Sequence, residues 1–173
     1  MGTIESLMKA TRSKASVQPS KAPHPLASWA LAFAFLGLYL ATLDRRANFD
    51  ALISGAYSET GPIPGMPERF FTWNHFLFNL CGWAAFKLLS PLHLSGYESL
   101  QTLNAAAAAA TVGVLHRFLH VETKSAAWAA GWAGILGVSH IFWRQGVGAE
   151  AYTLGGFFLL LCARSAARYA VEP

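Results

Sequence analysis

Charge is scarce in this sequence. Lysine, arginine, aspartate and glutamate together make up 13% of the 173 residues, against 54% hydrophobic, roughly half the charged share of a soluble domain. That scarcity argues against an ordinary water-soluble globule, and the mean hydropathy of +0.34 agrees. Cysteine is nearly absent: Cys81 and Cys162 lie in apolar runs without CxxC or His-flanked spacing, so neither a disulfide framework nor a cysteine metal site is indicated. The leader holds no lipidation motif. "YLATLDRR" also lacks the small-x-small pattern of a signal-peptidase site, which favours a retained anchor over a cleaved leader. Acids are outnumbered by bases, for a net charge of +4. The 13 basic residues, however, are spread between hydrophobic blocks, a distribution that fits membrane topology and anionic head groups rather than nucleic acid.

What the sequence does have is apolar blocks close to the length that crosses ~30 Å of hydrocarbon as helix. The expected fold class is therefore all-α: a polytopic membrane protein of about four spans, with interfacial helices in its first outer loop. Residues 1–25 form a basic tail with Lys9, Arg12, Lys14 and Lys21. "LASWALAFAFLGLYLATL", Leu26 to Leu43, is the first span. Asp44 to Gly65, with "GPIPGMP", must lie outside the hydrocarbon. Within it "FDALISGAYSE" spaces Phe49, Leu52, Ile53 and Ala56 along one helical face, as in a helix lying at the interface. "RFFTWNHFLFNLCGWAAFKLL" is aromatic-rich but interrupted by Asn74, His75, Asn79 and Lys87. Three further spans are expected: Glu98 to Leu115, built on an alanine run that lets helices approach closely, then Ala126 to Phe142 and Ala151 to Ala163.

The positive-inside rule chooses between topologies. If the aromatic run crosses, making five spans, the basic residues divide 6 inside against 7 outside. If it lies in the outer interface, they divide 8 against 5. Four spans are favoured, with residues 1–25 and a C-terminal tail at 164–173 cytoplasmic, a helical module over 26–163, and an outer loop over 44–97. Trp73, Trp83, Trp128 and Trp143 then read as interface residues. In "SHIFWRQGVGAEAYTLGGFFLLL", Arg144 and Glu150 stand six residues apart between apolar runs. Each needs water, a partner or a function, and mutual neutralisation at the outer boundary is the most economical reading.

Several of these segments in order resemble a known family: an acid soon after the first span, the His-containing aromatic segment, "LQTLNA" opening a helix, and "FWRQGVGAEAYTL" after a third span. Together they are similar to the N-terminal part of C-type integral membrane glycosyltransferases, in particular the protein-mannosyltransferase-like and lipid-A-sugar-transferase-like branches, where segments such as "HHLLYN" and "FWxxxVxAEVYxL" recur. The resemblance covers Leu26 to Leu161. It implies transfer of a sugar from a polyprenyl-phosphate donor to an acceptor on the outer face of a bacterial inner (plasma) membrane, with an acidic catalytic residue in the first outer loop. That chemistry needs a carboxylate to deprotonate the acceptor and cations to hold the phosphate. Carried onto this chain, the resemblance makes Asp50 the first candidate base and Asp44 the second. It makes Arg144 the phosphate ligand, with Glu150, His75, Asn74 and Lys87 as further substrate-binding candidates. Each has a plainer reading: Asp44 with Arg45 and Arg46 as a solvated cap, Asp50 as part of a surface helix, His75 as an interface residue. No cofactor or metal-ligand pattern is present, and the residues leave the need for a divalent metal open. Family members have many more spans, so the resemblance implies either an incomplete N-terminal part of an enzyme or a second class of function, a non-catalytic accessory subunit packed against other membrane protein subunits.

Overall fold

The computed structural model describes residues 25–46, 48–62 and 75–171, and these are helical, with no strand among them. The helices are α1 (Pro25–Ala41), α2 (Phe49–Thr60), α3 (Phe76–Leu89), α4 (Gly96–Thr123), α5 (Ala126–Val138), α6 (His140–Val147) and α7 (Ala151–Val171), with one 3₁₀ turn at Ser90–Leu92. Proline opens α1, where its missing N–H costs nothing. α2 starts where Asn48 Oδ1 accepts the Ala51 N–H at 2.7 Å. α4 starts in a reciprocal capping box, Ser95 Oγ accepting from Glu98 N while the Glu98 carboxylate accepts from Ser95 N at 2.8 Å. Lys124 turns the chain in the left-handed conformation between α4 and α5.

α4 is the axis, and each of the other helices packs on it. α1 runs antiparallel to it, with Ser28 bonded to His116 at one end, Ala32 against Gly113, and Tyr39 beside the alanines further up. Tyr39 is fully buried, donates to the Gly137 carbonyl of α5 at 2.8 Å, and meets the Trp143 ring edge-on. α7 runs parallel to α4: its start is bonded to Asn104, and Arg164 reaches the neighbourhood of Arg117. α2 and α3 pair with each other at the first part of α4, where Gly82 sits between Leu100 and Ser58. The bundle thus has a polar end, with the α1–α2 and α6–α7 connectors, and a basic end with Arg117, Lys124, Arg164 and Arg168.

Small side chains dominate the interior of the bundle. Among the described residues, nine of the sixteen buried hydrophobics are alanine, and they are joined by buried Ser58, Asn79, Ser99, Gln101, Asn104 and Thr111. Large apolar side chains face outward, among them Phe33 at 65% exposed, Trp128 at 64% and Leu159 at 72%. Small residues inside and large ones outside is the pattern of helices that associate by close backbone approach.

Element by element, the structure departs from expectation in three places. The expected span Ala126 to Phe142 breaks at Ser139, whose extended backbone ends α5 and begins α6. The expected tail beyond residue 163 continues α7 to Val171. Finally, no single helix among the described residues is both long and apolar enough to cross a membrane; α6 and α7 meet the criterion only as a pair, bent by 112°. The bend follows from the sequence "GVGAE", where Gly148 and Glu150 interrupt the helical run. Residues 1–24 of the expected basic tail, and Trp73, lie outside the described residues.

Close approach is strictest between α2 and α4, where a Cβ on Gly96 would collide with the Gly55 carbonyl oxygen. Gly131 on α5 faces open space. Gly96→Ala is expected to destabilise the bundle by about 1–3 kcal/mol as overpacking, while Gly131→Ala leaves stability unchanged or raises it by up to ~1 kcal/mol through helix propensity. Denaturant titration of both variants in detergent checks the contrast.

Candidate functional site

At the polar end, α4 presents two carboxamides one turn apart, and each bridges connectors that are distant in sequence. Gln101 Nε2 donates to the Asp44 carbonyl at 2.5 Å and to the Val147 carbonyl at 3.1 Å. Asn104 Nδ2 donates to the Gly148 and Glu150 carbonyls at 2.8 and 2.7 Å. Asp44 N–H in turn donates to Val147 O at 3.1 Å. The α1–α2 and α6–α7 connectors are thereby pinned side by side over the start of α4. A buried amide that satisfies carbonyls no helix can satisfy is costly to remove.

Between these connectors lies an open cavity of about 770 Å³ whose lining includes Asp44, Arg46, Tyr97, His140, Arg144 and Glu150. Two carboxylates and two guanidiniums therefore share one recess. Asp44 Oδ1 accepts from the Arg46 backbone N–H at 2.9 Å. The Glu150 carboxylate accepts from Asn48 Nδ2 at 2.6 Å rather than from Arg144, as the expected neutralising pair would have required. Arg144 is exposed on α6. Gln145, also in the lining, carries a buried Oε1 with no hydrogen-bond partner, an acceptor site that a ligand's hydroxyl or a water would fill. The Tyr97 phenol stands at the back of this group, 3.4 Å from the Asp44 carbonyl. Burial first, and then the Asp44 and Glu150 charges, raise its pKa above the ordinary value.

Of the residues singled out from sequence, the fold brings Asp44, Arg144 and Glu150 to one cavity. Asp50 is exposed in the first turn of α2 and does not line it. His75 is half-buried ahead of α3 with its Nδ1 unpartnered. Lys87 lies exposed in the last turn of α3, its ammonium 5.7 Å from the Phe86 ring. Neither belongs to the cavity lining, and Asn74 lies outside the described residues. Sequence reasoning missed Arg46, Asn48, Tyr97, His140, Gln145 and Tyr152. A signal for two of them was present: His140 and Arg144, like Ile141 and Gln145, are four residues apart, so a helix there places each pair on one face. Among the described residues no group of three or more His, Cys, Asp or Glu side chains is placed to hold a metal ion. Comparison of the chain with protein-family models, curated proteins and solved structures found no match.

The Tyr97 environment gives a pH-dependent expectation. Because folding raises this phenol's pKa, it favours the neutral hydroxyl; the resulting stability is complete below the ordinary value of about 10 and is lost as pH rises through the folded value. Asp44→Asn and Glu150→Gln each remove a repelling charge, so each is expected to lower the Tyr97 titration midpoint. Ultraviolet difference titration against Tyr97→Phe reads that shift, and an unchanged midpoint in both variants would contradict the arrangement.

Proposed function

We propose that this chain is a polytopic helical membrane module whose polar-end cavity takes the phosphate of a polyprenyl-phosphate sugar donor and presents a carboxylate to the acceptor on the outer face. The observation that carries this reading is the gathering of Asp44, Arg144 and Glu150 in one recess at the polar end of a bundle with apolar outer faces. A transferred glycosyl phosphate needs cations for the leaving group and a base for the acceptor hydroxyl, and both kinds of group are in that lining.

Membrane insertion is supported by the outward-facing Phe33, Trp128 and Leu159 and by charges concentrated at the two ends. α1, of 17 residues, spans about 25 Å at the helical rise, and thinning or snorkelling accommodates such a shortfall. α4, of 28 residues, is long enough at about 42 Å; its buried Gln101, Asn104 and Thr111 lower its hydropathy, and its neighbours shield them from lipid.

In this reading Arg144, with Arg46, holds the phosphate, because a guanidinium matches phosphate geometry by paired donors. Asp44 is the general base in preference to Asp50, because it lines the cavity and Asp50 does not. Glu150, held by Asn48, keeps the α6–α7 connector oriented. In the full-length protein, Asp44→Asn is expected to lower sugar transfer by about 10²–10⁴-fold, Asp50→Asn to leave it near wild type, and Arg144→Gln to weaken polyprenyl-phosphate binding. Transfer from a polyprenyl-phosphate donor in liposomes, scored beside donor binding, measures all three. Undiminished transfer by Asp44→Asn removes the base assignment. Absence of transfer and donor binding in the wild type, with a membrane partner captured stoichiometrically, decides for the accessory-subunit function instead.

A further inference from the structure

At the opposite end from the polar cavity, α1, α4 and α7 leave a groove of about 240 Å³ lined by Trp29, Ala32, Val114 and Phe157, with Arg117 and Arg164 also in its lining. That volume is below the usual range of a small-molecule pocket, so the groove suits part of a longer ligand whose remainder lies outside. Its walls are almost wholly apolar, while its charged groups are of one sign. The charges acting on Arg164 are those of Arg168 and Arg117, both repulsive, and Glu122 at the end of α4 is not in the groove's lining. Like charges held together beside an apolar slot favour an occupant that is anionic at one end and hydrocarbon along the rest.

Charge complementarity separates the possible occupants. Residues 1–24 precede Pro25, a groove residue, in the sequence, but they carry Lys9, Arg12, Lys14 and Lys21 against the single acid Glu5, and so share the sign of the rim. A second copy of the chain would bring an equally basic end. We infer that the basic end is a binding site for one anionic phospholipid, its phosphate between Arg117 and Arg164 and an acyl chain in the groove between α1, α4 and α7. The inference rests on membrane insertion of the bundle, as proposed above, and not on the transfer chemistry. Basic pockets between helices at a membrane face take lipid head groups in this way, and guanidinium is the side chain best matched to a phosphate.

The full chain reconstituted in vesicles of phosphatidylcholine, with or without phosphatidylglycerol, and analysed by native mass spectrometry, tests the site. Flotation with the vesicles comes first: a chain that does not float refutes the insertion reading, and this inference with it. For the inserted protein, retention of one phosphatidylglycerol in preference to phosphatidylcholine is expected. Arg117→Gln with Arg164→Gln should weaken that retention by about thirty-fold, the combined worth of two basic residues near an anionic surface. Ala110→Leu, which fills the groove without changing charge, should also abolish the retained lipid. Loss with the arginine variant but not with Ala110→Leu means diffuse attraction to a basic end and overturns the site, as does equal retention of both lipids. Should Ala110→Leu not fold, a photoreactive acyl chain on phosphatidylglycerol reads the same contact in the wild type. Labels on Trp29, Val114 or Phe157 support the site, and labels confined to other helices overturn it.

Discussion

The carboxamides of Gln101 and Asn104 are the constraint on which the polar end depends. The connectors after α1 and α6 leave carbonyls at Asp44, Val147, Gly148 and Glu150 that no helix satisfies, and these two side chains accept the task. Replacing Asn104 by a residue of similar size without two donors would leave the Gly148 and Glu150 carbonyls unpaired, at a cost of about 1–3 kcal/mol for each group, whereas the Val147 carbonyl bound by Gln101 would keep the Asp44 N–H. Position matters as much as chemistry. Three residues apart, the amides point from one face of α4, and the alanine run that follows keeps the axis thin enough for α1, α5 and α6 to approach the same helix. Asp44 and Glu150 enter one cavity because their own backbone carbonyls are held by adjacent turns of α4.

The same thin axis accounts for the inverted packing. With Ala105, Ala108, Ala109 and Ala133 at the helix contacts, little apolar volume is buried between helices, and the large side chains that would form a soluble core are displaced to the perimeter. In water, an exposed apolar surface on that scale would favour association. In hydrocarbon it would carry no such penalty, and the surrounding helices cover the buried amides and hydroxyls. Tyr39 is the largest fully buried side chain among the described residues, and its hydroxyl reaches the Gly137 carbonyl one residue before α5 ends.

Much of the helical plan could be read from local signals. The first apolar block, the Phe49 face, the alanine run and the final apolar block each correspond to a helix, because helical period and propensity are properties of a few neighbouring residues. The break at Ser139 was not legible: "GVSHIF" is apolar enough to continue, and the extended backbone at Ser139 that ends α5 leaves His140 and Arg144 lining one cavity with Asp44. The choice between Asp50 and Asp44 was hidden for a related reason. Both lie in one short polar stretch, and which of them faces the cavity depends on α2 beginning at Phe49 and on the tether between Asp44 and Val147, a contact more than a hundred residues apart in sequence. "LQTLNA" was noticed only for its resemblance, because the carbonyls that its amides bind are backbone groups that leave no mark on the sequence.

The question raised by Arg144 and Glu150 has an answer of a different kind from pairing. Had the two formed a closed ion pair, both of those charges would already be satisfied, with little reason to draw in a ligand. Asn48 instead occupies the Glu150 carboxylate, while Arg144 stands exposed in the same lining. Because Asn48 also caps α2, one side chain links the start of that helix to the α6–α7 connector. A change at Glu150 would therefore be felt at the entry to α2 as well as in the cavity. The neutral partner is what leaves the guanidinium free for an anion from outside.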